Sequence, residues 1–168
     1  MMTQQMKERV YGFRVVASVL AALTLSGPAI AGESVPFKGR LAGIITNVGF
    51  DPVRNIVYLH QTGKGQATHL GNFTVDATRE IDLTGGPGRA TWVCTVANGD
   101  MLLLVGVGGG GTGPNTAAGT LRIVGGTGRF EGATGLLQLA ITFAIAPPTS
   151  EPNPYTAVIE GTISFSQQ

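Results

Sequence analysis

Residues 89–107 read Arg-Ala-Thr-Trp-Val-Cys-Thr-Val-Ala-Asn-Gly-Asp-Met-Leu-Leu-Leu-Val-Gly-Val, and this stretch decides the class of fold. Trp92, Cys94 and Val96 fall at every second position, so an extended chain puts them on one face. Asn98-Gly99 follows, between two apolar runs. Both central residues of a type I′ turn need positive φ, which Asn and Gly tolerate, so the pair predicts a tight β-hairpin. The spacing gives one strand over 89–97 and a second over 100–107. Met101-Leu102-Leu103-Leu104-Val105 is apolar on both faces. One face meets a core. The other calls for a cover, either a partner subunit or a packed loop or terminal segment.

The same grammar extends in both directions. Alternating runs occur at 37–46, 54–62, 68–83, 118–125, 135–146 and 155–166. Between them stand turn and loop signals: Asp51-Pro52, Gly63-Lys64-Gly65, Gly85-Gly86-Pro87-Gly88, the glycine-rich stretch 108–114, and the proline-rich stretch 147–154. Phe37, Leu41 and Ile45 share a face with Gly39 and Gly43. Leu137, Leu139, Ile141, Phe143 and Ile145 share another, as do Ile159, Ile163 and Phe165. No stretch after Ala31 keeps apolar residues at i, i+3, i+4 and i+7 for long enough to make a helix. Eight sequential strands with mostly short connections predict an all-β, eight-stranded antiparallel barrel, in which closure removes exposed edges. A two-sheet sandwich is the alternative. The interior of such a barrel is either filled by side chains or holds one small ligand.

The chain begins differently. Lys7, Arg9 and Arg14 stand against Glu8, an apolar run covers 15–25, and Ala29-Ile30-Ala31 follows. A basic start, a short apolar core and a small-x-small site are the parts of a secretory signal peptide. An apolar run of eleven residues falls short of the roughly 20 that a spanning helix needs. The expected division is a signal peptide over 1–31 and a single barrel domain over 32–168, secreted or periplasmic, with no stable membrane span after cleavage. The whole chain has 11 basic and 10 acidic residues, and the leader holds three and one of them, so the remainder is nearly neutral. Without a basic cluster there is no electrostatic footprint for nucleic acid. The lone Cys94 permits no internal disulfide, so an exported domain must hold itself by burial. Its place between Val93 and Thr95 reads as a small buried hydrophobe.

Chemistry-bearing residues are few. The candidate ligand-binding residues are Tyr58, His60, His69 and Arg122. His60 shares parity with Tyr58 and Ile56, and pointing inward it offers a polar handle; an exposed or hydrogen-bonded strand histidine is the plainer reading. Two histidines without a cysteine or acid at ligand spacing make no zinc site, and no metal or cofactor is expected. Asp76, Glu80 and Asp82 share parity, with Arg79 among them; a solvated face explains them better than a calcium site. The glycine-rich segments lack P-loop spacing and lead into no helix. No nucleophile elbow occurs, and no catalytic residue is identifiable.

Gly125-Gly126-Thr127-Gly128-Arg129-Phe130-Glu131-Gly132-Ala133-Thr134-Gly135 follows a strand, turns on glycines and leads into a long apolar strand. Gly125, Gly126 and Gly128 permit positive φ in a tight reversal, and Phe130 can plug a barrel end. With Gly132 and Gly135 these residues read as a structural turn motif. The segment resembles the G-G-[ST]-G-x-F-x-G-x-x-G stretch of the allene oxide cyclase and dirigent barrels. The order of an Asn-Gly-Asp hairpin upstream, and of a long strand, a proline-rich loop and a final strand downstream, resembles theirs as well. Thr68-His69-Leu70-Gly71-Asn72-Phe73-Thr74 is similar to a run in small exported bacterial proteins of this barrel type. The resemblance implies an eight-stranded barrel, a tendency to form trimers, and a cavity for an apolar small molecule. In those families polar residues lining the cavity carry the chemistry, and none of them transfers to this chain.

Three functions are therefore expected in turn. The first is non-enzymatic binding of an apolar small molecule or lipid by a homo-oligomeric barrel. The second is an isomerase or cyclase of the allene oxide cyclase type, which requires polar groups converging inside, such as His60 with a carboxylate or a tyrosine. The third is a structural or interaction module docking through 101–105.

Overall fold

A computed structural model of the protein describes residues 32–86, 88–146 and 152–166. The expected signal peptide and most of the proline-rich loop lie outside these residues. Eight strands follow one another: β1 (Ser34–Asp51), β2 (Ile56–Ala67), β3 (Gly71–Asp82), β4 (Arg89–Val96), β5 (Met101–Gly113), β6 (Thr116–Gly126), β7 (Thr134–Phe143) and β8 (Asn153–Ser164). Each pairs antiparallel with the next, and β1 pairs with β8, from Ser34 opposite Ser164 to Ile45 opposite Asn153, to close a barrel. The barrel expectation holds and the sandwich does not.

Alternation decides the wall. Phe37, Leu41 and Ile45 of β1, Trp92, Cys94 and Val96 of β4, and Leu137, Leu139, Ile141 and Phe143 of β7 all face inward and are buried. Ile145, past the end of β7, is exposed. On β5, Leu102 and Leu104 are buried inside, while Met101, Leu103 and Val105 remain half-buried outside, against the outer residues of β4 and β6.

Three local expectations are corrected. First, the hairpin at Asn98-Gly99 is not a two-residue type I′ turn. Only Gly99 has positive φ, at 89°. Its N–H donates to Val96 O at 2.9 Å, and Val96 N–H donates to Asp100 O at 3.0 Å. That is a three-residue loop, a turn through Ala97 and Asn98 followed by a left-handed glycine. Asn98 still contributes, because its Oδ1 accepts from Asp100 N–H at 3.1 Å. Second, Gly63-Lys64-Gly65 does not break β2. A Cβ on Gly63 would meet Ala42 O and the Tyr155 hydroxyl, both at 2.7 Å, so the glycine makes room across the barrel wall and the strand runs on to Ala67. The break comes at Thr68–Leu70, where His69 takes φ of 65°. Third, residues 108–113 are not a loop. They continue β5 and pair with Thr116–Thr120 of β6 through two irregularities of register.

The two ends of the barrel differ. At one end the turn motif supplies a short 3₁₀ helix, η1 (Gly128–Phe130), that lays Phe130 across the opening. Phe130 is fully buried, with Phe165 at 6.4 Å between ring centroids, and Leu70 and Ala133 are buried in the same cluster. The motif is fastened to the 98–101 hairpin. Thr127 N–H donates to Met101 O at 2.8 Å, and Met101 N–H donates to Thr127 Oγ1 at 2.9 Å. Arg129 reaches over the end to donate to Leu70 O at 3.2 Å. Gly125 and Gly128 have positive φ, as expected of a reversal, but Gly126 does not. Its role is space, since a Cβ there would run into Met101 O and into Phe130 Cβ.

Candidate functional site

The opposite end is open. There the interior holds a cavity of about 500 Å³, within the range of pockets that accept a small organic ligand. Its floor and walls are apolar: Ile45, Leu59, Trp92, Leu121, Ile141 and Phe143. Its mouth lies between the turn after β3 and the glycine-rich end of the β5–β6 ribbon. The gap arises from pairing. β4 meets β5 at only five positions, from Thr91–Val105 to Thr95–Met101, so β5 beyond Val105 has β6 alone as partner. Glycines at 85, 86, 88, 106, 108 and 109 flank this side opening and keep it unobstructed by side chains.

A few polar groups face this space. Arg79 follows Phe73, Val75 and Ala77 in the inward row of β3, and its ladder neighbours are Leu59 and Ala90. The side chain lines the cavity and is partly exposed, and burial pushes its pKa down. Among the described residues no carboxylate lies within ion-pair distance of it; the ion pair found there is His60–Asp76. Trp92, the only tryptophan, lines the cavity at 1% exposure, and its Nε1–H has no hydrogen-bond partner among the described residues. Asn47 also lines it, with Oδ1 accepting from Gly49 N–H at 3.1 Å. Asn153 is fully buried and self-contained: it clamps Ile145 by both its N–H and its carbonyl. Deeper, Gln61 is fully buried beside the Tyr155 hydroxyl, and among the described residues neither of its amide atoms makes a well-formed hydrogen bond. Burial pushes the Tyr155 phenol up.

The sequence candidates lie elsewhere. None of Tyr58, His60, His69 and Arg122 lines the cavity. His60 is on the outer face, 41% exposed, with Nε2 3.2 Å from Asp76. Tyr58 accepts from Arg54 at 3.2 Å, also outside. His69 stands at the closed end, near Pro36 O at 3.1 Å and edge-on to Phe165. Arg122 is exposed on β6, between the buried Leu121 and Ile123. Asp76, Glu80 and Asp82 do not converge: Asp82 caps its own turn through Thr84, at 2.8 Å to N–H and 2.6 Å to the hydroxyl. Among the described residues no three potential metal ligands gather.

The residue that sequence reasoning missed is Arg79. Its signal was available: it continues an apolar row of odd-numbered residues. The even-numbered acids around it drew it into a solvated face instead. On β2 the inward row reads Val57, Leu59, Gln61, Gly63, Gly65 and Ala67, so its glycines hide the apolar period, and Ile56 lends the outward row a false one.

Cys94 sits inside, and burial pushes its thiol up to about 12 from an ordinary 9.0. In the unfolded chain the thiol ionises first, so the unfolded state holds fewer protons above pH 9.0 and stability falls as pH rises. The expected loss is about 1.4 kcal/mol per pH unit, up to the folded pKa. Urea unfolding on either side of pH 9.0 checks this: the Cys94→Ala variant should lack this part of the alkaline decline, and an equal decline in both proteins would contradict it.

Comparison with known proteins agrees with the architecture. No family model matches the sequence, and no curated protein sequence matches it. Among solved structures, the fold is similar to that of the pterocarpan synthase dirigent protein GePTS1, with a TM-score of 0.54 and 10% sequence identity over 83% of this chain and 89% of that one. At that identity the likeness establishes a dirigent-like barrel fold and no more. No helix among the described residues is long and apolar enough to cross a membrane.

Proposed function

We propose that the protein is an exported barrel that binds an apolar small molecule or lipid in its open end. The observation that carries this reading is the apolar cavity of about 500 Å³ facing a mouth, in a barrel whose other end is closed by Phe130. A chain needing only stability gains nothing from leaving part of its interior unfilled, because dense packing stabilises and voids cost contacts. Export rests on the leader-like residues 1–31. Binding without chemistry is favoured over a cyclase because, among the described residues, the fully buried polar side chains are amides, Gln61 and Asn153, and neither histidine lines the cavity. Self-association through the half-exposed outer residues of β5 belongs to the same proposal.

The test is titration with N-phenyl-1-naphthylamine, a neutral dye whose emission rises in apolar surroundings. Saturable binding at one site per chain is expected, with quenching of Trp92, the only tryptophan. Replacing His60 by Ala should leave it unchanged. Absence of saturable binding would remove the proposal. A native mass spectrum of the same sample reads subunit number and any co-purified ligand together.

A further inference from the structure

Arg79 lines the cavity, and among the described residues it has no ion-pair partner. Arg79 is flanked on the inner wall by Leu59 and Ala90. Trp92 sits on the adjoining strand, diagonal to Arg79, because Ala77 pairs with Trp92 and Arg79 with Ala90. Its Nε1–H is buried without an acceptor among the described residues. Both groups donate hydrogen bonds and neither accepts them. Removing a guanidinium from water without a partner is costly, and leaving a buried donor unpaired adds to that cost. Its two ladder neighbours, Leu59 and Ala90, offer no acceptor side chain to Arg79. The described carboxylates that line the mouth, Glu80 and Asp82, alternate with Arg79 on β3, and neither lies within ion-pair distance of it; Asp82 binds Thr84.

We infer that Arg79 receives the carboxylate of an amphipathic organic acid whose apolar body fills the cavity, with Trp92 Nε1–H directed to the same group. The inference rests on the binding function proposed above and adds the ligand's chemical class. An acid fits better than a neutral apolar molecule because only an anion satisfies the guanidinium where water is scarce. A charge-assisted bond of this kind is worth about 1.5–3 kcal/mol. That corresponds to about ten- to a hundredfold in affinity.

The experiment displaces bound N-phenyl-1-naphthylamine from the full chain with dodecanoate or with dodecanol, which share a chain and differ in charge. Dodecanoate should compete at least about tenfold better. In Arg79→Met the preference should vanish, with dodecanol affinity kept, and in Arg79→Lys part of it should persist. The Arg79→Met protein should also unfold at an equal or higher urea midpoint, because an apolar side chain of similar length suits the wall better than an uncompensated charge. Equal competition by the two probes in the native protein overturns the inference and leaves the apolar site intact. A preference that survives in Arg79→Met overturns the role of Arg79. Failure of both probes to displace a bound dye overturns the inference as well, whereas failure of the dye to bind at all removes the parent reading.

Discussion

Phe130→Ala is expected to lower the unfolding free energy by about 3–5 kcal/mol, the usual cost of deleting a buried aromatic ring. Phe130 is fully buried at the closed end, on a single turn of 3₁₀ helix, η1. Three features make the upper part of that range the better expectation. The ring packs against Phe165, beyond the end of β8, so its loss also loosens the segment that carries Phe165. The Arg129 guanidinium stands 4.8 Å from the ring centroid and loses its support. The backbone of η1 is tied at both ends, with Phe130 N–H donating to Thr127 O at 3.1 Å and Ala133 N–H to Phe130 O at 3.0 Å, so the segment cannot readily collapse into the void. A small domain has about 5–15 kcal/mol in total, so urea unfolding will show the change plainly. Dye affinity measured under native conditions should stay the same, because Phe130 does not line the cavity. A loss below about 1 kcal/mol would mean that the turn motif does not plug the barrel.

Most of this architecture is legible in the sequence, for a physical reason. A barrel wall has one buried face, so period-two alternation must be kept wherever side chains fill the interior. Trp92, Cys94 and Val96, and the row from Leu137 to Phe143, therefore announce their strands. The reading weakens where glycine replaces side chains. Gly63 and Gly65 occupy inward positions of β2, and the glycines of 108–113 lengthen β5 without any alternation to betray it. A glycine cluster encodes a turn and a close strand approach equally well, and only the partner strand decides between them. The site was less legible than the fold for the same reason. The open end is defined by what is missing there among the described residues: side chains at the glycine positions, a β5 partner for the start of β4, and an ion-pair partner for Arg79.

The two ends carry a division of labour. The recognisable turn motif serves closure and attachment through Gly126, Thr127, Arg129 and Phe130, which is why it speaks for the barrel and leaves activity open. The residues that face the cavity come from five or more separate strands and follow no local pattern. Arg79 and Trp92 are set at diagonal positions by the β3–β4 register alone. A function built this way can change by single substitutions at the open end while the closed end maintains the fold.

Gly126→Ala separates those contributions more sharply than any apolar truncation. Gly126 has an ordinary negative φ, so alanine meets no conformational penalty there. The obstacle is space: the added Cβ would run into Met101 O, the acceptor of the Thr127 N–H bond, and come within 2.7 Å of Phe130 Cβ. Backbone cannot yield as a flexible side chain can, so the seam between β5 and the turn motif must open. Overpacking costs about 1–3 kcal/mol, and the disrupted hydrogen bond about 0.5–1.5 kcal/mol, for an expected loss of roughly 2–4 kcal/mol. Gly99→Ala is the matched control. Its φ of 89° strains alanine, but nothing lies within 4 Å of a Cβ there. Strain of that kind costs about 1–2 kcal/mol and leaves the seam paired. Amide hydrogen exchange distinguishes the mechanisms. Thr127 N–H should exchange much faster in Gly126→Ala than the fall in global stability alone requires, and no faster than that in Gly99→Ala. Equal exchange in the two variants would show that Gly126 is kept for flexibility, and the closed end would then owe its geometry to Phe130 alone.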